Sequence, residues 1–319
     1  MENIAHTLCG LRIADLGWRE RVGPRAPVIA ALAANLPDAD ILLRLDGRDT
    51  YTWWHRGITH SVLGWPFLAL GAAWVSLRVT RTGLYRDHLA LWLWGLLSHM
   101  LLDWPTSWGT MLFLPLTDTR FSLDWIFIVD PAFWVCLALV PWAVRRGASG
   151  TADARERGAR AGLFALAGWV LFCGAMRQQA GTHAPDGAKV FPAPLAPARW
   201  TGIHTHAGVA ERWLLTPESG HAAGTWSPLT DAERAAMRTL HAGERWLWKA
   251  KAPVVAARHP TPEGTVLDVV DLAYASWMSG DAGARRFGET FTLTSDGSAV
   301  RGGPATRSTG AATPAGATP

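Results

Sequence analysis

Residues 55–61 read HRGITHS, and residues 98–103 read SHMLLD at the end of the apolar run LWLWGLL. Imidazoles and carboxylates recurring in this way are the donors of a divalent metal site. His99 and Asp103 stand four apart and so share one helical face. Setting them among leucines and tryptophans costs free energy unless they are paired, solvated or functional. His55 and His60 do not share a regular helical face. A helix beginning near Gly57 leaves His55 in the preceding loop and His60 in the first turn, so the two rings come from different backbone directions.

Further polar residues stand where apolar ones are expected: His6, Asp38 and Asp40 in LPDAD, Asp124, and Asp130. Some have plainer readings. Asp130 precedes Pro131, the form of a helix N-cap followed by a first-turn proline. Asp38 follows Pro37 and can sit in a turn, and His6 can be a helix-face residue. Taken as ligands, His6, Asp38, Asp40, His55, His60, His99 and Asp103 form a mixed imidazole and carboxylate set that suits Zn²⁺, Mn²⁺ or Fe²⁺. They suffice for two ions, which together can activate water and hold both oxygens of a displacement. Asp103 and Arg56 are the candidates for catalysis itself, with the Arg56 guanidinium placed to neutralise an anionic group or to anchor at an interface. No GxSxG elbow is present, and Ser61 and Ser98 lack Asp–His partners of their own, which argues against serine catalysis.

The elements that must position these residues follow from hydropathy. About 20 mainly apolar residues cross a bilayer as helix. Residues 62–79, 89–108, 125–144 and 161–176 approach this, the second only if His99 and Asp103 are tolerated, while 3–16 and 26–36 read as shorter or re-entrant helices. With alternating direction, every candidate ligand falls at one end of the resulting multi-pass helical bundle. The other end collects arginine: Arg19, Arg21 and Arg25, Arg78, Arg81 and Arg86, and the run from Arg145 to Arg160. Loops rich in Lys and Arg stay cytoplasmic, so the ligands are expected on the opposite face, with Trp53, Trp54, Trp104, Trp108 and Trp125 at that interface.

After residue 176 the composition becomes that of a soluble domain, entered through a Pro/Gly-rich stretch. GVAERWLL, RWLWKA, PVVAARH, GTVLDVVDLAY and FGETFTLT read as short strands, and DAERAAMRTLHAG as a helix. The fold expected is therefore mainly α, a transmembrane helical bundle over 1–176, followed by a small α+β soluble domain over 177–301. The Gly/Ala/Thr/Pro-rich tail, 302–319, is expected to be disordered. The net charge of +4 comes almost wholly from arginine, with no lysine before Lys189 and no interleaved aromatics, so no nucleic acid partner is expected. Cys9, Cys136 and Cys173 are far apart in sequence and read as small core residues. The first 25 residues, with Arg12, Asp15, Arg19, Glu20, Arg21 and Arg25 among them, are not expected to act as a secretory leader.

LPDAD, HRGITHS and SHMLLDWPTSWGT, in that order and ahead of DWIFIVDP, resemble the bacterial family of inner-membrane, metal-dependent hydrolases represented by the LexA-regulated YdjM protein. The resemblance covers residues 1–176. It implies a multi-pass membrane protein whose hydrolytic metal site is carried by His55, His60, His99 and Asp103, together with His6, Asp38 and Asp40. The stretch FPAPLAPARW resembles the soluble extension of longer members. The family supplies no substrate.

The first functional expectation is thus a membrane hydrolase whose metal-activated water attacks an ester or phosphoester in a lipid or lipid-linked substrate. The alternative is a non-enzymatic membrane protein with a structural or ion-binding His/Asp site. A transporter extends its polar groups toward both faces, whereas these concentrate at one end. Among the histidines of the second half only His204 and His206 are closely spaced. They share a strand face and, without acidic residues nearby in sequence, read as surface residues.

Overall fold

The computed structural model describes residues 2–146, 151–274, 288–294 and 296–302. The expected disorder of 302–319 falls almost wholly outside them. The chain divides into two compact units, Met1–Gly174 and Ala175–Pro319.

The first unit is helical. Helix α1 (Asn3–Ala14) begins where the Glu2 carboxylate accepts from the backbone N–H groups of Ile4 and Ala5, a capped N-terminus. The short α2 (Trp18–Val22) leads into α3 (Ala26–Asn35), which tightens at Leu36 into a 3₁₀ stretch running to Asp46. Then come α4 (Arg48–Trp54), a 3₁₀ turn at Ile58–His60, α5 (Trp65–Thr80) and α6 (Tyr85–Asp103). Beyond a long irregular loop, α7 (Pro131–Trp134) continues through a π-helical turn into α8 (Val140–Arg145), and α9 spans Ala152–Gly181.

Two glycines decide how closely the central helices approach. A Cβ on Gly10 would lie 2.5 Å from the Ala30 carbonyl oxygen, and one on Gly95 would lie 2.3 Å from the Ala33 Cβ. Helices α1, α3 and α6 therefore meet backbone to backbone, the packing that small residues allow in apolar surroundings. Leu91, Leu96, Ala30 and Ala33 are fully buried at this junction. At the far end of α6, His88 and Trp92 both hydrogen-bond the Ser76 hydroxyl and so tie α6 to α5.

Among the described residues, two helical stretches are long and apolar enough to cross a membrane, Ala26–Asp46 and Ala152–Gly181. A third exists if Asp49–His60 and Trp65–Thr80, which meet at 76°, make one broken span. Of the three or four segments expected, 161–176 lies within Ala152–Gly181 and 62–79 within the bent pair. Residues 125–144 do not form one helix, because Asp130 caps the N-terminus of α7 and residues before it are irregular. Helix α6 is long, but its polar residues keep it out of the apolar set. Residues 26–36, expected as a short helix, extend instead through Pro37 as part of the longer stretch.

At one end of α1, Asp15 pairs with Arg12, Arg19 and Arg145, the last at 2.7 Å. The guanidinium groups of Arg21, Arg78 and Arg146 lie over the rings of Trp18, Trp74 and Trp142. The arginine-rich end thus has its own tryptophans, in addition to the five expected at the opposite interface.

The second unit is an antiparallel eight-stranded meander, β1 (Lys189–Ala193), β2 (Ala196–His206), β3 (Val209–Leu215), β4 (Gly220–Pro228), β5 (Pro253–Thr261), β6 (Gly264–Asp271), β7 (Glu289–Thr294) and β8 (Ala299–Arg301), in sequential order. Its strand β4 carries the sheet from one half to the other, and the curled sheet forms a half-barrel. FPAPLAPARW lies in the β1–β2 hairpin. Helices α10 (Asp231–Arg238) and α11 (His241–Lys249) stand between β4 and β5. Met237, Trp246 and Leu247 pack with Val255, Leu267 and Phe291. RWLWKA, expected as a strand, is the body of α11: its adjacent Trp246 and Leu247 point to this core together with Leu240, a helical spacing that alternation missed.

Candidate metal centre

Six of the seven expected ligands are delivered by three segments: the 3₁₀ stretch after α3 (Asp38, Asp40), the turn before α5 (His55, His60) and the last turn of α6 (His99, Asp103). The seventh, His6, comes from the first turns of α1. The Gly95–Ala33 contact lies one turn before His99 and holds its ring against α3, where Nδ1 donates to the Ala34 carbonyl at 2.7 Å. That bond leaves Nε2 with its lone pair outward, the tautomer of a metal ligand.

His60 presents the same ring edge to the site. Its Nδ1 meets the Thr59 hydroxyl at 3.0 Å and the Asp40 Oδ2 at 3.6 Å, so its Nε2 also faces inward. The two Nε2 atoms stand 3.0 Å apart. The Asp103 Oδ2 lies 3.6 Å from His60 Nε2 and 3.3 Å from His99 Nε2. The Asp38 Oδ1 lies 3.5 Å and 3.7 Å from the same two atoms. Ligand bonds of 2.0–2.1 Å in tetrahedral geometry put donors about 3.3 Å apart. The spacings observed bracket that edge length, and His60, His99 and Asp103 are buried while the Asp38 side chain is 14% exposed. The donor set fits an ion.

Other residues fix these donors. The Asp103 Oδ1 accepts from Arg56 Nη2 at 2.9 Å, and Arg56 Nη1 donates to the Thr106 hydroxyl at 3.0 Å. Arg56 is buried, with its two Nη atoms on these partners. In this arrangement its guanidinium holds the Asp103 carboxylate. Its backbone lies in the left-handed region, φ 61°, which turns the chain between His55 and Gly57. Asp40 organises the same turn, since its Oδ1 takes His55 Nδ1 at 2.9 Å and its Oδ2 takes the Arg56 N–H at 3.0 Å. Asp38, Asp40 and His55 form a second, overlapping group of donors that shares Asp38 with the first.

His6 stands beside the first group. Its ring stacks on His99 with centroids 3.8 Å apart, and its Nε2 lies 3.5 Å from the Asp103 Oδ1. Fully buried, neither of its ring nitrogens makes a hydrogen bond among the described residues, which leaves donors and acceptors there for an ion or water to satisfy.

Asp124 and Asp130 stay outside. Asp130 accepts from the Ala132 N–H and from Trp169 Nε1, a capping role, and Asp124 accepts from the Ser122 hydroxyl. Sequence reasoning missed several supports. Arg120 donates to the carbonyls of Trp53, His55 and Gly109 and so holds the HRG turn from 65 residues away. Nothing in its local sequence marks it. Gly95, four residues before His99, was legible as a small residue on the ligand face. The Ala34 carbonyl has no side-chain signal at all.

Comparisons with known proteins agree with the first unit's extent. A family model described as YdjM inner membrane protein matches residues 1–180. Over 148 residues the chain is 28% identical to the uncharacterized protein YfhP of Bacillus subtilis (strain 168), covering 42% of this chain and 43% of that one. Over 124 residues it is 35% identical to the inner membrane protein YbcI of Escherichia coli (strain K12), covering 38% of this chain and 71% of that one. The chain thus spans less than half the length of YfhP. No solved structure matches it.

Proposed function

The chain belongs to the YdjM inner membrane protein family, and from that premise we propose that its N-terminal half is a metal-dependent hydrolase of the bacterial inner membrane. Asp38, His60, His99 and Asp103 hold a divalent ion of the Zn²⁺, Mn²⁺ or Fe²⁺ class. Asp40 and His55 complete a neighbouring position that shares Asp38. The observation that carries the proposal is the pair of Nε2 atoms facing each other at 3.0 Å. With the Asp103 and Asp38 carboxylate oxygens 3.3–3.7 Å from the same two nitrogens, they make up a four-donor group at ligand spacing.

A bound ion supplies a Lewis acid and an activated water for attack on an ester or phosphoester. The chain's own residues do the rest. Asp40 orients the His55 ring through Nδ1. Arg56 keeps the Asp103 carboxylate turned toward the histidines. Asp38, the most exposed of the four donors, marks the side of approach. An apolar cleft of about 490 Å³ between α1, α6 and α9 is lined by Cys9, Ser98 and Leu102, close in sequence to His6, His99 and Asp103. It supports a substrate with an apolar tail, a lipid or lipid-linked molecule.

A second reading has one specific support: four protein donors can fill a tetrahedral ion, the arrangement of a structural site. One experiment separates the readings. The full chain, purified in detergent, is analysed for metal and assayed on nitrophenyl esters, nitrophenyl phosphate and phospholipid micelles, beside His99→Ala and Asp103→Ala. The hydrolase reading expects bound ion and hydrolysis in the parent and neither in the variants, with membrane insertion intact. Full occupancy without hydrolysis of any of these probes would favour the structural ion. An ion-free parent refolded with each metal, still binding none, would sink both.

A further inference from the structure

The β2–β3 hairpin brings together three donors that stand apart from the membrane half. Ala207 and Gly208, at φ 44° and 75°, make the two-residue turn whose twist suits a hairpin. The resulting register sets His206 opposite Val209 and His204 opposite Glu211. His204 and His206 share one face of the sheet by the period of two, and the cross-strand pairing puts Glu211 on that face with them. The sequence reading dismissed these histidines because no acid stood near. The acid is Glu211, which the turn folds back onto them.

The three side chains are mutually placed for one ion. The two imidazoles stack with centroids 4.7 Å apart and planes 19° from parallel. His206 Nε2 lies 3.9 Å from Glu211 Oε1, and one donor atom from each of the three residues lies within 4.8 Å of the others. The His206 side chain is 47% exposed, so small rotations of the rings suffice to close these separations to ligand spacing. Glu211 is also oriented from behind. Trp213 Nε1 donates to its Oε2 at 3.2 Å, leaving Oε1 for the histidines. Such an outer hydrogen bond to a ligating carboxylate is the support that metal sites characteristically have. Gly202, opposite Trp213, carries no side chain that would compete with the indole for this face.

We propose that His204, His206 and Glu211 form a second metal site on this hairpin, binding a borderline divalent ion such as Zn²⁺. Two imidazoles and one carboxylate exclude the hard ions Mg²⁺ and Ca²⁺ as preferred occupants. Three protein donors leave a coordination position for water or for an anionic group of a ligand. The site is independent of the hydrolase reading, because its donors lie wholly on β2 and β3.

The test uses the full chain in detergent, stripped with a chelator and reloaded with Zn²⁺ alone at buffered free concentration, with bound zinc counted per chain. The double variant His204→Ala/His206→Ala is expected to bind one ion fewer than the parent, and His60→Ala to lose a different ion, so the two losses add. Glu211→Gln keeps an acceptor for Trp213 but removes the charge, and should lose the same ion. Trp213→Phe, which keeps all three ligands and removes only the hydrogen bond to Glu211 Oε2, should weaken this site about 10- to 100-fold. Circular dichroism is expected to show the sheet intact in all of them. Zinc counts equal to the parent in both the double variant and Glu211→Gln would overturn the site. Unchanged affinity in Trp213→Phe would count against it as an oriented centre.

Discussion

Replacing Gly95 by alanine is the smallest change that should open the membrane-half centre without touching a donor. The new Cβ would sit 2.3 Å from the Ala33 Cβ and 3.0 Å from the Ala33 carbonyl carbon and the Ala34 nitrogen. Carbon atoms rest about 3.5–4.0 Å apart, so α3 and α6 must separate locally by about 1.2 Å or more. The His99 Nδ1 to Ala34 carbonyl bond, now 2.7 Å, then lengthens to about 3.9 Å, past hydrogen-bonding range. Overpacking of this kind costs about 1–3 kcal/mol, and losing the outer bond of a metal-ligating histidine lowers affinity about 10- to 100-fold. The assay is zinc competition with a graded chelator, paired with thermal unfolding in detergent. Gly168→Ala is the control, since a Cβ there meets nothing within 4 Å. If Gly95→Ala held zinc as tightly as the parent and unfolded at the same temperature, the claim that this helix contact positions His99 would be refuted.

Arg56→Lys keeps the charge but cannot reach Asp103 and Thr106 together as the guanidinium fork does. Metal affinity should fall about 10- to 100-fold in the same competition assay while insertion into membranes is retained. In the second unit, burial opposes the charge of Glu233, but hydrogen bonds from Arg258 and the Thr230 N–H outweigh it and hold the carboxyl below its ordinary value. A depressed carboxylate stabilises fully above the unfolded value, about 4.3, and that stability is lost as pH falls through the folded value. Urea unfolding followed by the strand signal from pH 6 to 3 should therefore show a shallower pH dependence in Glu233→Gln, and equal slopes would exclude the linkage. If the arginine-rich connection at 145–160 is cytoplasmic and one crossing follows it, the second unit lies outside the cytoplasm; with cysteines introduced at Asp153 and Glu218, an impermeant reagent applied to intact cells should then label position 218 and spare 153, and the reverse pattern would invert the topology.

Certain features were settled by the chain itself. Donor types and the i, i+4 spacing mark His99 and Asp103 because a helix face is a local property. The change from long apolar runs to short alternating ones marks the passage from helices to an antiparallel sheet, since periodicity is local too. The capping form of Asp130–Pro131 is likewise read from adjacent residues. What only the tertiary structure decided depends on residues distant in sequence. The pairing of Arg56 with Asp103, 47 positions away, has no local signature in the chain. Arg120 and the Ala34 carbonyl act on the HRG turn and on His99 through backbone and long-range contacts that carry no side-chain signature. Hydropathy over 125–144 did not register the break at Asp130, where α7 begins, because an average over a window carries no record of where a helix starts. On the hairpin, His204 and His206 showed their shared face in sequence. Their third partner, Glu211, became visible only when the positive-φ turn at Ala207 and Gly208 fixed the register that sets β3 against β2.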